Sequence, residues 1–362
     1  MAQNNDTQWP QINFDPGLVR KILVLRYRSI GDILLSNPSL AGLKKTFPRA
    51  VIHFLVDDVF GELLYHNKNV DKVILNPRKK LQRGLGAEID FIRKIREENY
   101  DLAVDLQAGP RGAVTTLLSG ARLRVGHKFR FRNKICYNMY AEDPLTEDHS
   151  WKVQFKVVTP LGVPWPEEPE FFLDFPESAA KSVNDKLEKA GLLFDRPMVL
   201  LHPGARVPVK RWPSDKMGAL ARWLVDERQV AVILAGADSD AEEIASIKRH
   251  SGYALPSFLD LSIPELAALI GMSGMLVCND SGPMHMAGVL DTPVVALFGP
   301  SDPNLWGPVG NRKITVSCDP MECQPCDQKN CLYEGVHCMT RIDVEAVKQA
   351  VDKLWELTAP KE

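Results

Sequence analysis

Short, unbroken runs of apolar residues recur along this chain, with helix-length amphipathic stretches between them. KILVLR (21–26), AVIHFLV (50–56), KVILN (72–76) and YDLAVDL (100–106) are β-branched or leucine-rich. A strand with one wet face alternates apolar and polar residues, whereas an unbroken apolar strand must be covered on both sides. Unbroken strands alternating with stretches such as GAEIDFIRKIREEN (86–99) therefore predict a parallel sheet between two layers of helices. The pattern is interrupted by the Pro- and Glu-rich GVPWPEEPEFFLDFP (162–176), then restarts in PMVLLHPG (197–204), QVAVILAG (229–236), GMLVCN (274–279) and TPVVALFGP (292–300). At 362 residues the chain exceeds what one core usually supports.

The expected fold class is α/β, with two Rossmann-like, doubly wound parallel-sheet domains facing across a cleft. The expected boundaries are 1–165 for the first domain, 166–176 for a linker and 177–342 for the second domain. The last helix, within 343–362, is expected to pack back toward the first domain. Ligands of such sheets bind beyond the carboxyl ends of the strands.

The net charge of −2 conceals an asymmetry: residues 1–160 carry 25 Lys and Arg against 17 Asp and Glu, and residues 161–362 carry 19 against 29. A basic first half suits an anionic partner. No window approaches 18 uninterrupted apolar residues, and the polar start MAQNNDTQWPQINFDPG lacks a signal-peptide pattern, so a cytoplasmic protein is expected.

The chemistry-bearing residues lie just after the predicted strands. Asp32, in YRSIGDILLSNPSL (27–40), follows the first strand and opens a helix. It can cap that helix, or act as a general base facing a cleft. HPGARVPVKRWP (202–213) combines Gly204 with Arg206, Lys210 and Arg211, a composition suited to a phosphate or pyrophosphate. There is no G-x-x-x-x-G-K-[ST], which argues against a P-loop NTPase, and no G-x-G-x-x-G in the first β–α turn, which argues against a nicotinamide dehydrogenase. In CNDSGPMHMAG (278–288), Asp280, Ser281 and Gly282 begin a helix whose N-terminus suits an anion or a sugar, with His285 on its first turn. The Asp-x-Asp of GADSDAEE (236–243) is explained by helix capping without a metal.

Two further clusters stand out. RLRVGHKFRFRNK (122–134) places six Lys and Arg beside His127, Phe129 and Phe131. No nucleic-acid module accompanies it, so it reads as an exposed basic loop or a site for a phosphorylated or membrane-associated acceptor, formed by Arg122, Arg124, Lys128, Arg130 and Arg132. Cys323, Cys326, Cys331 and Cys338, with Cys318 upstream, could hold Zn2+ or an iron–sulfur cluster in a structural role, although their spacing fits no common zinc template.

Taken together, ILVLRYRSIGDILLSNPSLAGLKKTFP, LLHPGA…KRWP, NDSGPMHMAG and VALFGPSDPNLWGP resemble the bacterial lipopolysaccharide heptosyltransferases, ADP-heptose-using glycosyltransferases of GT-B fold. The resemblance implies an acceptor-binding first domain and a nucleotide-sugar-binding second domain. It implies that Asp32 is the catalytic base, that Lys210 contacts the donor phosphates and assists catalysis, and that Asp280 holds the heptose. Ser281 and Gly282 would then lie at the diphosphate, with His285, Arg206 and Gly236 in the same donor set. Gly204 and Ala205 occupy positions where relatives often carry hydroxyl side chains, which leaves phosphate contacts there to backbone amides. The implied donor is ADP-L-glycero-β-D-manno-heptose and the implied acceptor the lipid A–Kdo/heptose core at the inner face of the inner membrane, with no cofactor required and no nucleic acid bound. Two other readings remain at this point: a nucleotide-sugar epimerase, and a non-enzymatic module built on the cysteines.

Overall fold

A computed structural model describes residues 14–77, 84–107, 109–127, 133–141, 148–192, 196–326, 328, 331, 333, 335 and 337–358. The chain divides into two compact units, Met1–Phe171 and Phe172–Glu362.

In the first unit, β1 (Lys21–Leu25) leads through α1 (Ile30–Leu34) and α2 (Asn37–Thr46) to β2 (Val51–Asp57) and β3 (Lys72–Asn76). There follow α3 (Leu85–Glu97), β4 (Leu102–Asp105), α4 (Pro110–Leu118), β5 (Leu123–His127), α5 (Asn133–Cys136), β6 (Met139–Ala141) and α6 (Ser150–Lys156). The strands form one parallel sheet in the order β3-β2-β1-β4-β5-β6. Ile22, Leu23, Val24 and Leu25 of β1 are fully buried, as an apolar run covered on both faces must be. One expectation is corrected here: Leu123–His127 is a strand, not part of a basic loop. Its arginines masked an apolar pattern in which Leu123, Val125, Gly126 and His127 are buried.

The second unit contains α7 (Glu177–Lys189), β7 (Met198–His202), α8 (Ser214–Asp226), β8 (Ala231–Ala235), α9 (Ala241–Ser251), β9 (Ser257–Phe258) and α10 (Ile263–Met272). It continues with β10 (Met275–Asn279), α11 (Gly282–Val289), β11 (Val294–Phe298), α12 (Pro303–Trp306), β12 (Lys313–Ser317), α13 (Cys338–Arg341) and α14 (Val344–Thr358). Its parallel sheet has the order β12-β11-β10-β7-β8-β9. Each sheet is doubly wound. The chain moves outward from the first strand to the third, returns to the other side of the first, and moves outward again. The direction reverses between β1 and β4 in one unit and between β7 and β10 in the other, and such a switch point opens a crevice at the carboxyl edge.

The last helix packs on the second unit. Val347, Ala350, Val351 and Leu354 form an i, i+3, i+4, i+7 stripe that is buried in the second unit's core with α8, β11 and β12. Trp212 joins these layers. It has no exposed surface, and its indole N–H donates to Ile342 O at 3.1 Å. Lys216 Nζ donates to the same carbonyl at 2.8 Å and to Thr340 O at 2.7 Å.

Trp212→Ala is expected to destabilise the second unit by about 3–5 kcal/mol through a cavity no neighbour can fill. Trp212→Phe, which keeps a ring but removes one of the two donors to the Ile342 carbonyl, is expected to cost about 0.5–1.5 kcal/mol. Urea unfolding followed by circular dichroism distinguishes the two.

Candidate active site

The switch point of the first unit is built around Asp32. Ser29 ends the β1 turn, and Asp32, three residues on, reaches back in a capping box: Oδ2 accepts from Ser29 N at 3.2 Å and from Ser29 Oγ at 3.1 Å. Asp32 thus helps to begin α1, but a short polar arrangement also binds its other oxygen. Arg26 Nη2 pairs with Oδ1, while Arg26 Nη1 donates to Leu106 O beyond β4. The Asp32 carbonyl accepts from Gln154 Nε2 at 3.1 Å. The carboxylate is therefore held by Ser29 and Arg26, and the residue's backbone by Gln154 of α6, with the Asp32 side chain 19% exposed. A carboxylate held in one orientation and still reachable suits proton abstraction.

Sequence reasoning missed most of this frame. Tyr27 N donates to Gln107 Oε1 at 3.1 Å, and Gln107 N to Asp105 Oδ1 at 2.7 Å, so β1 and β4 are tied just beyond their last paired residues. Asp105 also accepts from Tyr137 Oη at 2.6 Å, and burial together with this carboxylate raises the Tyr137 phenol's pKa. Arg111, at the start of α4, lies 4.7 Å over the Tyr27 ring and donates to Asn76 Oδ1 at 3.0 Å, with Asp57 at 3.6 Å. Its side chain is 37% exposed on the carboxyl edge of the sheet. The available signal was positional, since Asp57, Asn76 and Arg111 all end or follow strands.

Arg122 and Arg124 do not share that edge. They stand at the start of β5, the amino edge of a parallel sheet, and Arg124 donates to Cys136 O at 2.8 Å and Ala121 O at 2.9 Å. Arg124 is a brace between β5 and the chain entering β6. Lys128, Arg130 and Arg132 lie outside the described residues.

In the second unit the loop after β7 and the turn after β10 meet. Asn279 binds both ends of the loop: Nδ2 donates to Pro203 O at 2.6 Å, and Oδ1 accepts from Trp212 N at 3.0 Å. Next to it, Asp280 accepts from Lys210 Nζ at 2.6 Å and from Ser301 Oγ. Lys210 and Asp280 are both largely buried, which strengthens their attraction over that of a surface pair. Ser281 stands at the N-cap of α11, and its buried Oγ has no hydrogen-bond partner among the described residues; Gly282 follows at the helix start. His285 is buried on the first turn. Lysine, carboxylate and the positive end of a helix are thus brought together at one sheet edge.

Arg211 locks the loop from behind. Its Nε donates to Ala205 O at 3.0 Å, and its two Nη groups pair with Asp240 at 3.0 Å and Glu243 at 2.8 Å. Asp240 also accepts from Ala237 N at 3.0 Å. A Cβ on Gly204 would collide with the Asp240 carboxylate, and one on Gly236 would lie 3.1 Å from Asp240 Cβ. Gly204, Ala205 and Gly236 therefore form the packed base of the loop, whereas Arg206 is exposed.

Among the described residues no group of three or more His, Cys, Asp or Glu side chains is placed to hold a metal ion. The cysteine segment instead clasps the loop after β11. Cys326 N donates to Pro300 O at 3.0 Å, and Gln324 Nε2 to Gly299 O at 2.5 Å. Cys338 Sγ packs so closely that a Cβ on Gly299 would lie 2.8 Å from it. This loop carries Ser301, the partner of Asp280.

Residues 89–337 match the family model for glycosyltransferase family 9 (heptosyltransferase). The chain is 28% identical over 336 residues to lipopolysaccharide heptosyltransferase 3 of Escherichia coli, covering 90% of this chain and 96% of that protein. The glycosyltransferase family 9 structure from Veillonella parvula superposes with a TM-score of 0.82 at 22% identity, over 94% of this chain and 98% of its own. E. coli ADP-heptose lipopolysaccharide heptosyltransferase II does so with a TM-score of 0.74 at 24% identity, over 93% and 99%. The two parallel α/β sheets are those of the GT-B fold.

Two buried histidines end strands at these edges. Burial holds His127 down to about 4, with Arg26 and Lys156 adding to the effect, and burial also lowers His202. Below pH 6.5 an unfolded chain binds protons that the folded one refuses, so stability is full above that pH and declines as pH falls from about 6.5 toward 4. The urea midpoint is expected to drop between pH 7 and pH 5, His127 contributing up to about 2 kcal/mol, and His127→Gln should flatten part of that drop.

Proposed function

The chain belongs to glycosyltransferase family 9, and from that premise we propose that it is an inverting heptosyltransferase, moving heptose from ADP-L-glycero-β-D-manno-heptose to the inner core of lipopolysaccharide. The observation that carries the reading is the Lys210–Asp280–Ser301 cluster at the start of α11, a site made for a sugar diphosphate.

In this reading the donor lies on the second unit. Lys210 Nζ and the first amides of α11 take the diphosphate, and Asp280 accepts hydrogen bonds from the heptose hydroxyls. An acceptor hydroxyl at Asp32 gives its proton to the carboxylate while its oxygen attacks the anomeric carbon. The bond to the ADP oxygen breaks with inversion, and Lys210 stabilises the negative charge that leaves. Arg26 keeps Asp32 oriented for that transfer. Lys210 supplies the charge stabilisation that a divalent ion would otherwise provide, so the reaction needs no metal or other cofactor. Arg111, fixed by Asn76 and partly exposed, is the first unit's acceptor contact on the same edge as Asp32. The acceptor is the lipid A–Kdo/heptose core at the inner face of the inner membrane, which the basic first half of the chain would approach. No helix among the described residues is long and apolar enough to cross a membrane.

The test is ADP release from ADP-heptose with lipopolysaccharide acceptors truncated at successive core positions. Release is expected to depend on one acceptor. Asp32→Asn is expected to lose about 10²–10⁴-fold in turnover with donor affinity kept, and Lys210→Ala to lose both. Wild-type turnover in Asp32→Asn would remove the base, and absence of donor binding would remove the heptose reading.

A further inference from the structure

The first unit holds a cavity of about 680 Å³ away from the residues around Asp32 described above. One wall is a single face of α2: Pro38, Ala41, Gly42, Lys45 and Thr46 follow the i, i+3, i+4, i+7, i+8 spacing of a helical stripe. The small residues in the middle create the hollow. A Cβ on Gly42 would lie 2.5 Å from Val163 Cγ1 and 3.3 Å from Phe155, so the helix and the 155–163 segment are already in contact beneath the cavity.

The facing wall is the segment from Pro164 to Glu170. Trp165 is held from behind, its ring centroid 4.8 Å from Phe155 and 6.3 Å from Trp151, yet it remains 48% exposed. Lys45 of α2 and Lys68, which precedes β3, bind Glu170 at 2.6 and 3.3 Å and hold the segment in place. Glu167 and Glu168 stand exposed at the cavity. The walls are thus built before any ligand arrives, and the volume lies within the range of about 300–1,000 Å³ usual for small-molecule sites.

We propose that this cavity is a saccharide subsite that holds an uncharged sugar unit of the acceptor chain, separate from the unit that reacts at Asp32. A pyranose ring has an apolar C–H face and a rim of hydroxyls. The immobilised indole of Trp165 suits the face, at low cost in side-chain entropy, and the carboxylates of Glu167 and Glu168 suit the rim, as charge-assisted acceptors. The same carboxylates disfavour phosphate and carboxylate groups by like-charge repulsion. An acyl chain would bury Thr46, Glu167 and Glu168 against hydrocarbon that offers them no hydrogen bonds. The subsite is also joined to the reacting centre: Gln154, which donates to the Asp32 carbonyl, precedes Phe155 in α6.

The class of ligand rests on the glycosyltransferase reading, but the test does not need turnover. Isothermal titration of the full chain, without donor, uses two acyl-free core oligosaccharides prepared from the same lipopolysaccharide with their Kdo carboxyl groups reduced to alcohols: a dephosphorylated, neutral probe and its phosphorylated counterpart. The wild-type chain is expected to bind the neutral probe at least tenfold more tightly than the phosphorylated one. Trp165→Ala should weaken the neutral probe tenfold or more, and Trp165→Phe should retain most of the affinity. Glu167→Lys with Glu168→Lys, both exposed changes that leave the ring cluster intact, should reverse the preference. No binding of the neutral probe by folded wild-type chain, equal affinity in Trp165→Ala, or a preference for the phosphorylated probe in the wild type would overturn the subsite. ADP release by the same wild-type preparation reports on the heptosyltransferase reading separately.

Discussion

The parallel direction of every paired strand is the constraint on which the rest depends. When all strands of a sheet point the same way, every strand ends at one edge, and the loops that follow them are gathered there whatever their separation in sequence. Arg26 and Leu106, 80 residues apart, meet because β1 and β4 are neighbours. Lys210 and Asp280, 70 residues apart, meet because β7 and β10 are neighbours. The two units solve the same problem twice, each at the strand pair where the winding reverses.

At the second of these edges adjacent residues divide the work. Asn279 is fully buried and uses its amide entirely on backbone, closing both ends of the loop that carries Lys210. Asp280 faces the other way and keeps a side-chain partner set of Lys210 and Ser301. Because an unpaired buried amide or carboxylate is costly, each fixes the geometry of the other's surroundings. The cysteine segment extends this support, since its bonds to Gly299 and Pro300 hold the loop from which Ser301 reaches Asp280.

Two close approaches show why small residues recur at these edges. Gly204 lies against the Asp240 carboxylate and Gly112 against the Asp105 carboxylate, and at each position a Cβ would occupy the carboxylate's place. The acids they admit then anchor Arg211 and Tyr137. A glycine after a strand is here a means of placing a charged group beneath a loop.

Much of the fold was legible in the sequence because burial on both faces leaves a local mark: the eight apolar runs are strands, and the motifs around Asp32, Lys210 and Asp280 follow them. Where that mark was obscured, the reading failed. Arg122 and Arg124 disguised β5. The partners of the site residues were not legible either. That Arg26, which pairs with Asp32, also reaches Leu106 beyond β4, that Arg111 crosses from α4 to Asn76 on β3, and that the cysteines clasp a loop depends on distances across the sheet. The sequence by itself determined where most strands lie and that the motifs around Asp32, Lys210 and Asp280 follow them, because periodicity and turn residues act over a few positions. Only the tertiary structure decided which of them touch, because contact is set by strand order and packing, to which local spacing is blind.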